Sequence, residues 1–427
     1  VILWSFLVLL GLLIFSIPVA VTILGVSFFI DFFYSPFPLS LALGEVLWSS
    51  SNNFLLIAIP FFIFLGQILV QTGIASTTYR ALESWLSWLP GGLLHANIGA
   101  ATFFAATSGS SVATAATVGT IALPQAKSLG YDEKLFAGSI AAGGTLGIMI
   151  PPSINLIIYG FLTQTSVPKL FVAGLVPGIL LAAFFIVATA ILCVMFPKLG
   201  GPSKRYTWRQ RFRGVVELGP VFLLFVIIVG SIYLGWATPT EAAALGSVYT
   251  LVLAQYKGVL RWSMVMKAMQ STIRTTAMIM LIIMAAYFLN FVLSSSGVGG
   301  HLKDLIVGLN LGPYGSIFII FGIYLILGCF IETLSLMIIT IPIVVPIVTG
   351  LGFDPVWFGI FLILMIELAL ITPPVGLNLY VVQGVRARGS AFNDVLFGAS
   401  FYVILMMLFG VLLVFVPQLA LFLPSLM

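Results

Sequence analysis

Two apolar stretches of this chain are interrupted in the same unusual way. GIMIPPSINLIIYG (147–160) and ALITPPVGLNLYVVQG (369–384) each carry two consecutive prolines, with an asparagine three or four residues further on. Proline lacks a backbone donor and its ring collides with the preceding turn, at about 3 kcal/mol or more inside a helix. Both breaks lie in sequence greasy enough for lipid, where non-helical backbone is tolerated only against protein or a wet cavity. They stand 222 residues apart, 373 minus 151. A fold for this chain has to account for two deliberate breaks at depth.

Only 7% of the 427 residues are charged and 61% are hydrophobic, against roughly 25% charged in a soluble domain. The chain is therefore an integral membrane protein, and the length of its apolar runs favours helices over the alternating strands of a barrel. The first run, from Val1, lacks the basic start and small-residue cleavage site of a signal peptide and is read as a helix. Cys193 and Cys329 lie in apolar runs, so no disulfide is expected. Full crossings are expected near 2–30 (bent at Pro18), 53–72, 168–196, 218–235, 239–256, 273–294 and 393–425. Broken crossings are expected at 134–162 and 355–388, and two apolar segments, 92–127 and 313–349, remain.

KLGGPSKRYTWRQRFRG (198–214) carries Lys198, Lys204, Arg205, Arg209, Arg211 and Arg213, which the positive-inside rule places in the cytoplasm. Counting crossings outward brings Arg80, Lys127, Lys134, Lys257, Arg261, Lys267, Arg274, Arg386 and Arg388 to the same side, leaving only Lys169 and Lys303 outside. That count holds when 92–127 and 313–349 each enter and leave on one side. Both are read as re-entrant hairpins, with the N-terminus cytoplasmic and the C-terminus periplasmic. The +5 net charge then reports orientation and does not imply a nucleic-acid partner.

A shift of 222 aligns Pro124 with Pro346, Asp132 with Asp354, Phe136 with Phe358, Leu146 with Leu368 and the two Pro-Pro pairs. One further residue aligns Asn155 with Asn378, and another aligns Gly160 with Gly384 and Gly174 with Gly398. An odd number of crossings separates 53–72 from 273–294, so the halves run in opposite directions. Inverted repeats with broken helices are the signature of secondary transporters, whose site lies near the midplane. The organisation expected is 1–52 as N-terminal helix and outer loop and 53–196 as repeat 1. Residues 197–272 form a basic loop with connecting helices, and 273–427 form repeat 2.

The first hairpin turns through FFAATSGSSVATAATVG (103–119), rich in small and hydroxyl residues that let helices approach closely. In the second, GCFIETLSLMIIT (328–340), Glu332 sits within an apolar run and matches Ser110 under the shift. An acid at membrane depth costs at least about 2.5–3.5 kcal/mol and is functional by default. For Glu367, one turn before the second break, two readings stand: an ion's neighbour, or an acid reaching a polar groove. In WATPTEAAALG (236–246), Thr238 and Glu241 form a capping box around Pro239. Residues 76–90 and 299–310 read as helices along the interface. His95 and His301 lack a metal-like cluster. There is no nucleotide loop, nucleophile elbow or HExxH motif, so the chain is read as no enzyme, with no catalytic residues.

With hairpins and breaks in hand, the chain resembles the large membrane subunit of TRAP (tripartite ATP-independent periplasmic) transporters. The resembling residues are GTLGIMIPPSINLIIYG (144–160), ATPTEAAALG (237–246), ETLSLMIITIP (332–342) and ELALITPPVGLNLYVV (367–382). The resemblance implies an all-α fold with a scaffold and a moving transport domain, working as an elevator in the bacterial inner membrane. It implies sodium-coupled uptake of an organic acid anion, such as sialic acid or a C4-dicarboxylate. Two partners are implied, a small four-helix membrane subunit and a periplasmic substrate-binding protein. Two sodium sites are implied between hairpins and breaks: one at Ser108, Gly147, Ile150 and Pro152, the other at Gly328, Ala369, Thr372 and Pro374, with Thr333. No transition metal is implied. Substrate is expected near Ser110, Asn155, Glu332 and Asn378. A stand-alone anion carrier of the same broad fold is the alternative; a channel or membrane enzyme fits the residues less well.

Overall fold

The computed structural model describes the chain except for residues 1–3, 6, 7, 10, 13, 14, 16, 36, 203, 298–310, 375 and 388; at 105–108 and 127 it describes backbone alone. The expected interface segment 299–310, with His301 and Lys303, lies outside the described residues. Every regular element among those described is helical, and six helices are long and apolar enough to cross a membrane.

The helices begin with α1 (Val19–Tyr34), α2 (Leu43–Ser51) and α3 (Ala58–Gln71), the last preceded by a 3-10 turn at Phe54–Ile57. Pro18 is the N-cap of α1, and the described residues Trp4, Ser5, Val8, Leu9, Gly11 and Leu12 before it are helical as well. Next come α4 (Ile74–Leu86), α5 (Leu93–Ser108) and α6 (Ser111–Ser128). The first broken span is α7 (Glu133–Thr145) and α8 (Ile154–Thr163), followed by α9 (Val167–Met195). Then α10 (Trp208–Phe225) runs through a π turn at Val226–Gly230 as far as Tyr233, and α11 (Pro239–Tyr256) follows. The second half contains α12 (Trp262–Ser295), α13 (Gly312–Gly328), α14 (Thr333–Gly350), α15 (Pro355–Ala369), α16 (Leu377–Val385) and α17 (Phe392–Phe415).

Both spans stop at the double prolines, and both Pro-Pro bonds are cis. Several local devices recur at the 222 shift. Asp132 accepts the Leu135 N–H at 2.8 Å, and Asp354 accepts the Trp357 N–H at 3.3 Å, each capping the first half of a broken span. Ser110 Oγ accepts from Ala113 N and Glu332 Oε2 from Ser335 N, each capping the second arm of a helix pair. The capping box at Thr238 and Glu241 is present as expected. Two ends differ from expectation. The last span closes at Phe415 because Pro417 cannot continue it, although the sequence stays apolar beyond. In α12 the helix starts at Trp262, because Lys267 and Arg274 interrupt the apolar run without interrupting helix formation.

Packing follows the same exchange. Helices α5 and α6 lie against α7, and α13 and α14 lie against α15. The second arm of each pair also reaches the far half of the other break: α6 packs on α16, and α14 on α8. Around α7 and α15, α17 and α9 pack correspondingly. Glycine makes those crossings close: a methyl at Gly398 would overlap the Lys134 carbonyl, and one at Gly174 would press on the Met149 carbonyl. A second group surrounds α12, which packs on α1, α2 and α3, while α3 also packs on α11. Helix α4 joins the two groups, lying against α5 on one side and α10 on the other. Its amphipathic face is pinned by a buried chain in which the Tyr79 hydroxyl donates to Asn97 and Asn97 donates to Ser139.

Candidate functional site

The tips of both helix pairs open onto one cavity of about 220 Å³. Its walls come from four places: the Gly109–Ala113 tip, the first break at Ile148, Ile154 and Asn155, the Glu332–Leu334 tip, and the inner faces of α3 and α12. Three helices, α6, α8 and α14, start at this cavity. First-turn N–H groups have no intrahelical acceptor, and with the helix dipole they favour an anion. No Lys or Arg is among the lining residues, and Glu332 is the only acid. Positive potential at this point therefore comes from helix ends.

Glu332 is not embedded in an unbroken apolar helix. It stands exposed to the cavity at the cap of α14, which explains how a carboxylate is tolerated there. Its Oε1 accepts from Thr333 Oγ1 at 2.9 Å, and its Oε2 accepts from Ser335 N at 3.1 Å and Ser335 Oγ at 2.9 Å. The acid is thus aimed and held by its own helix, with remaining lone pairs facing the cavity. Asn155, in the first turn of α8, is almost fully buried yet lines the same space as Ser110, Glu332 and Thr333.

Asn378 is elsewhere. Its side-chain NH₂ donates to the Ala141 carbonyl of α7 at 3.2 Å, its Oδ1 has no partner, and it does not line the cavity. Its expected place beside the substrate is corrected to a brace between α16 and α7. Asn155 and Asn378 are each the second residue of their helices, but α8 is entered from Ser153 in extended backbone and α16 from Gly376 at φ +33°, so the two helices leave their breaks differently.

The residues expected to hold ions fall at the breaks. Among the described residues, no hydrogen bond reaches the carbonyls of Gly147, Ile148, Met149, Ile150, Pro151 or Pro152, all buried. Gly109, at φ +59°, brings the first tip within van der Waals reach of the Pro152 carbonyl, and Ser108 ends α5 just before it. Unpartnered buried carbonyls are what a hard monovalent cation requires, so this donor set fits sodium. At the second break, Gly328 packs directly on Ala369. The Ala369 carbonyl accepts from Thr372 N, the Thr372 hydroxyl donates to Leu368, and Pro374 accepts from Tyr380. Among the described residues no hydrogen bond reaches the carbonyls of Ile371, Thr372 or Pro373, and Pro373 and Pro374 are exposed. The second break is more open and partly satisfied. Glu367 is completely buried against the backbone of Met149, and neither carboxyl oxygen has a partner at hydrogen-bond geometry.

Residues 6–419 match the family described as "Tripartite ATP-independent periplasmic transporter, DctM component". This chain belongs to that family. It is 33% identical to the C4-dicarboxylate TRAP transporter large permease protein DctM of Vibrio cholerae, covering 99% of this chain and 97% of that one. It is 30% identical to the sialic acid TRAP transporter large permease protein SiaM of the same organism, covering 98% and 97%. The YdaH transporter of Alcanivorax borkumensis shares the fold at a TM-score of 0.61 and 14% identity, over 88% of this chain and 87% of that one. As a DctM-family permease the chain is a transporter subunit of the membrane and no enzyme.

Among the cavity residues of this permease that escaped the sequence reading, two on α3 and α12 are polar. Gln67 is the one polar side chain in the middle of α3, and a lone amide in AIPFFIFLGQILVQ was a usable signal. Thr275 sits in the polar stretch STIRTT, where nothing distinguished it from its neighbours.

Proposed function

We propose that this DctM-family permease imports an organic acid anion coupled to sodium, receiving it from a periplasmic binding protein and working beside a small four-helix membrane subunit. One observation carries the reading: two helix-pair tips and a broken span converge on a cavity where three helices begin and which, among the described residues, no Lys or Arg lines. An anion suits the positive potential of those helix starts, and a cation at the carbonyls of Gly147–Pro152 adds to it. Binding of the two is then mutually favourable, which is the physical requirement for symport.

The finer architecture belongs to the same proposal. Residues 53–196 and 273–427 are inverted repeats, supported by caps that recur at the 222 shift and by helix pairs that exchange partners across the two breaks. The pairs α5–α6 and α13–α14 are re-entrant hairpins; arms of 16–18 residues rise about 24–27 Å, enough to carry their tips deep into a bilayer. The hairpins and broken spans move as one body against the frame around α3 and α12, in the manner of an elevator. Ser108, Gly147, Ile150 and Pro152 hold one sodium ion. Gly328, Ala369, Thr372 and Pro374, with Thr333, hold a second beside the more open break. Ser110, Asn155 and Glu332 hold the substrate. The N-terminus faces the cytoplasm of a bacterium and the C-terminus the periplasm.

The acid in the cavity bears on substrate choice. Relatives are named for C4-dicarboxylates and for sialic acid. Glu332 repels a second carboxylate and accepts from hydroxyl groups, so a hydroxyl-bearing acid fits better than a bare dicarboxylate. The test is uptake into proteoliposomes holding the permease with its membrane partner. Sodium and substrate-loaded binding protein are supplied or withheld, and sugar acids compete against dicarboxylates. Accumulation that needs both supports the proposal. Uptake by this chain alone, without binding protein, would assign it to the stand-alone carriers, and transport of plain dicarboxylates only would overturn the substrate preference.

A further inference from the structure

On the side read as cytoplasmic, α4, α10 and α11 bring positive charges together without enough acid to balance them. Helices α10 and α11 fold back on one another, the Tyr249 hydroxyl reaching the Pro220 carbonyl, which sets Lys257, the C-cap of α11, level with Arg213. Gly214 of α10 lies directly on Ala81 of α4, beside Arg80, and Lys257 feels both Glu217 and Arg80. Glu217 already pairs with Arg213 at 3.5 Å. Neither Arg80 nor Lys257 has an ion pair among the described residues, and Arg80 is exposed. Arg213 and Lys257 thus face the one carboxylate of Glu217, with Arg80 a third cation beside Lys257, and like charges held close repel unless an anion lies between them.

Immediately beyond the charges, both flanking helices turn apolar faces outward. On α10, Phe212 and Val216 are 62% and 76% exposed. On α11, Val248, Val252 and Tyr256 are exposed at helical spacing, Tyr256 by 88%. The two helices touch here, the Tyr249 hydroxyl donating to the Pro220 carbonyl at 2.8 Å. A cationic cluster at the membrane surface, with apolar walls descending from it, matches a molecule that has a phosphate at one end and hydrocarbon at the other.

We propose that Arg80, Arg213 and Lys257 form a binding site for the phosphate headgroup of an anionic phospholipid, whose acyl chains lie along the outer faces of α10 and α11. Such a lipid ties α4, which packs on the α5 arm, to the frame helices α10 and α11. It therefore acts where a moving part meets a fixed one. The site is independent of the substrate cavity, and its test does not require transport.

The full chain, purified with and without its membrane partner, is examined by native mass spectrometry after exchange into phosphatidylglycerol or phosphatidylcholine. Removing a cation near the surface weakens anionic-lipid binding roughly fivefold. The triple variant Arg80→Gln, Arg213→Gln, Lys257→Gln should then retain at least tenfold less phosphatidylglycerol, with phosphatidylcholine unaffected. A matched variant of the neighbouring loop, Lys198→Gln, Arg205→Gln, Arg209→Gln, should retain it normally. Should the triple variant fail to purify, the single exposed change Arg80→Gln carries the same expectation, a loss of about fivefold. Equal loss in both triple variants means a diffuse positive surface and overturns the site. Full displacement by millimolar inorganic phosphate means a free-anion site, and displacement of the lipid by the partner subunit means a protein interface; either result also overturns it.

Discussion

Replacing Glu332 with glutamine separates its two roles, capping α14 and meeting substrate. The carboxylate accepts three hydrogen bonds from Thr333 and Ser335. A charge at a helix N-terminus contributes about 0.3–1 kcal/mol, and loss of a good cap costs about 1 kcal/mol. Glutamine keeps the shape and part of the capping, so Glu332→Gln should lower stability by about 1–2 kcal/mol, a shift of a few degrees in a thermal melt. Transport should fall much further. Hydrogen bonds to a charged group are each worth about 1.5–3 kcal/mol, and losing two toward substrate hydroxyls lowers kcat/KM by roughly 10²–10⁴. Ser335→Ala is the control, because it removes one cap donor, the Ser335 hydroxyl, which faces the helix and not the cavity. It should lose about 1 kcal/mol of stability and keep uptake within severalfold of the parent. Both proteins are compared by melting temperature and by initial uptake in proteoliposomes. Near-parental uptake in Glu332→Gln, or equal loss in both variants, would reduce Glu332 to a capping residue.

Asn155→Ala should abolish uptake while leaving the melting temperature nearly unchanged. Asn378→Ala, by contrast, removes a second hydrogen bond to a carbonyl already inside α7 and should cost about 0.5–1.5 kcal/mol, with KM for substrate unaltered; a KM effect alone would return Asn378 to the substrate site. Gly398→Ala drives a methyl into the Lys134 carbonyl and should destabilise by about 1–3 kcal/mol. Gly384→Ala meets nothing within 4 Å and should be neutral or slightly stabilising, so a thermal melt of the pair tests the close crossing. Glu367→Gln removes a fully buried carboxyl that has no hydrogen-bond partner, and the melting temperature should hold or rise; a large drop would show that the acid is held by a partner.

What could be read from the sequence follows from which signals are local. Proline pairs terminate helices wherever they occur, so both breaks were legible, as was the cap at Thr238; Asp132 and Asp354 were legible as matched positions. The matched positions of Ser110 and Glu332 were legible too, because each caps the second arm of its helix pair. The direction of Asn378 was not, because alignment by landmarks does not report how the chain enters the helix after the break. Gly376 opens α16 at a positive φ of 33° where Ser153 caps α8 from extended backbone, and no hydropathy pattern reports that difference. Helix ends within uniformly apolar sequence were also hidden, as at Phe415. The cavity wall from α3 and α12 depends on tertiary packing, so only the isolated amide of Gln67 hinted at it.

Cysteine accessibility at the cavity tests the site most directly. Val112 lines it and is exposed, and Val112→Cys is made in a background with Cys193 and Cys329 replaced by alanine. Modification by a charged maleimide is followed in proteoliposomes with sodium, substrate, both or neither. Substrate together with sodium should slow labelling at least tenfold, and either alone should do far less. Labelling at the same rate in all four conditions would mean that no anion rests between the two tips.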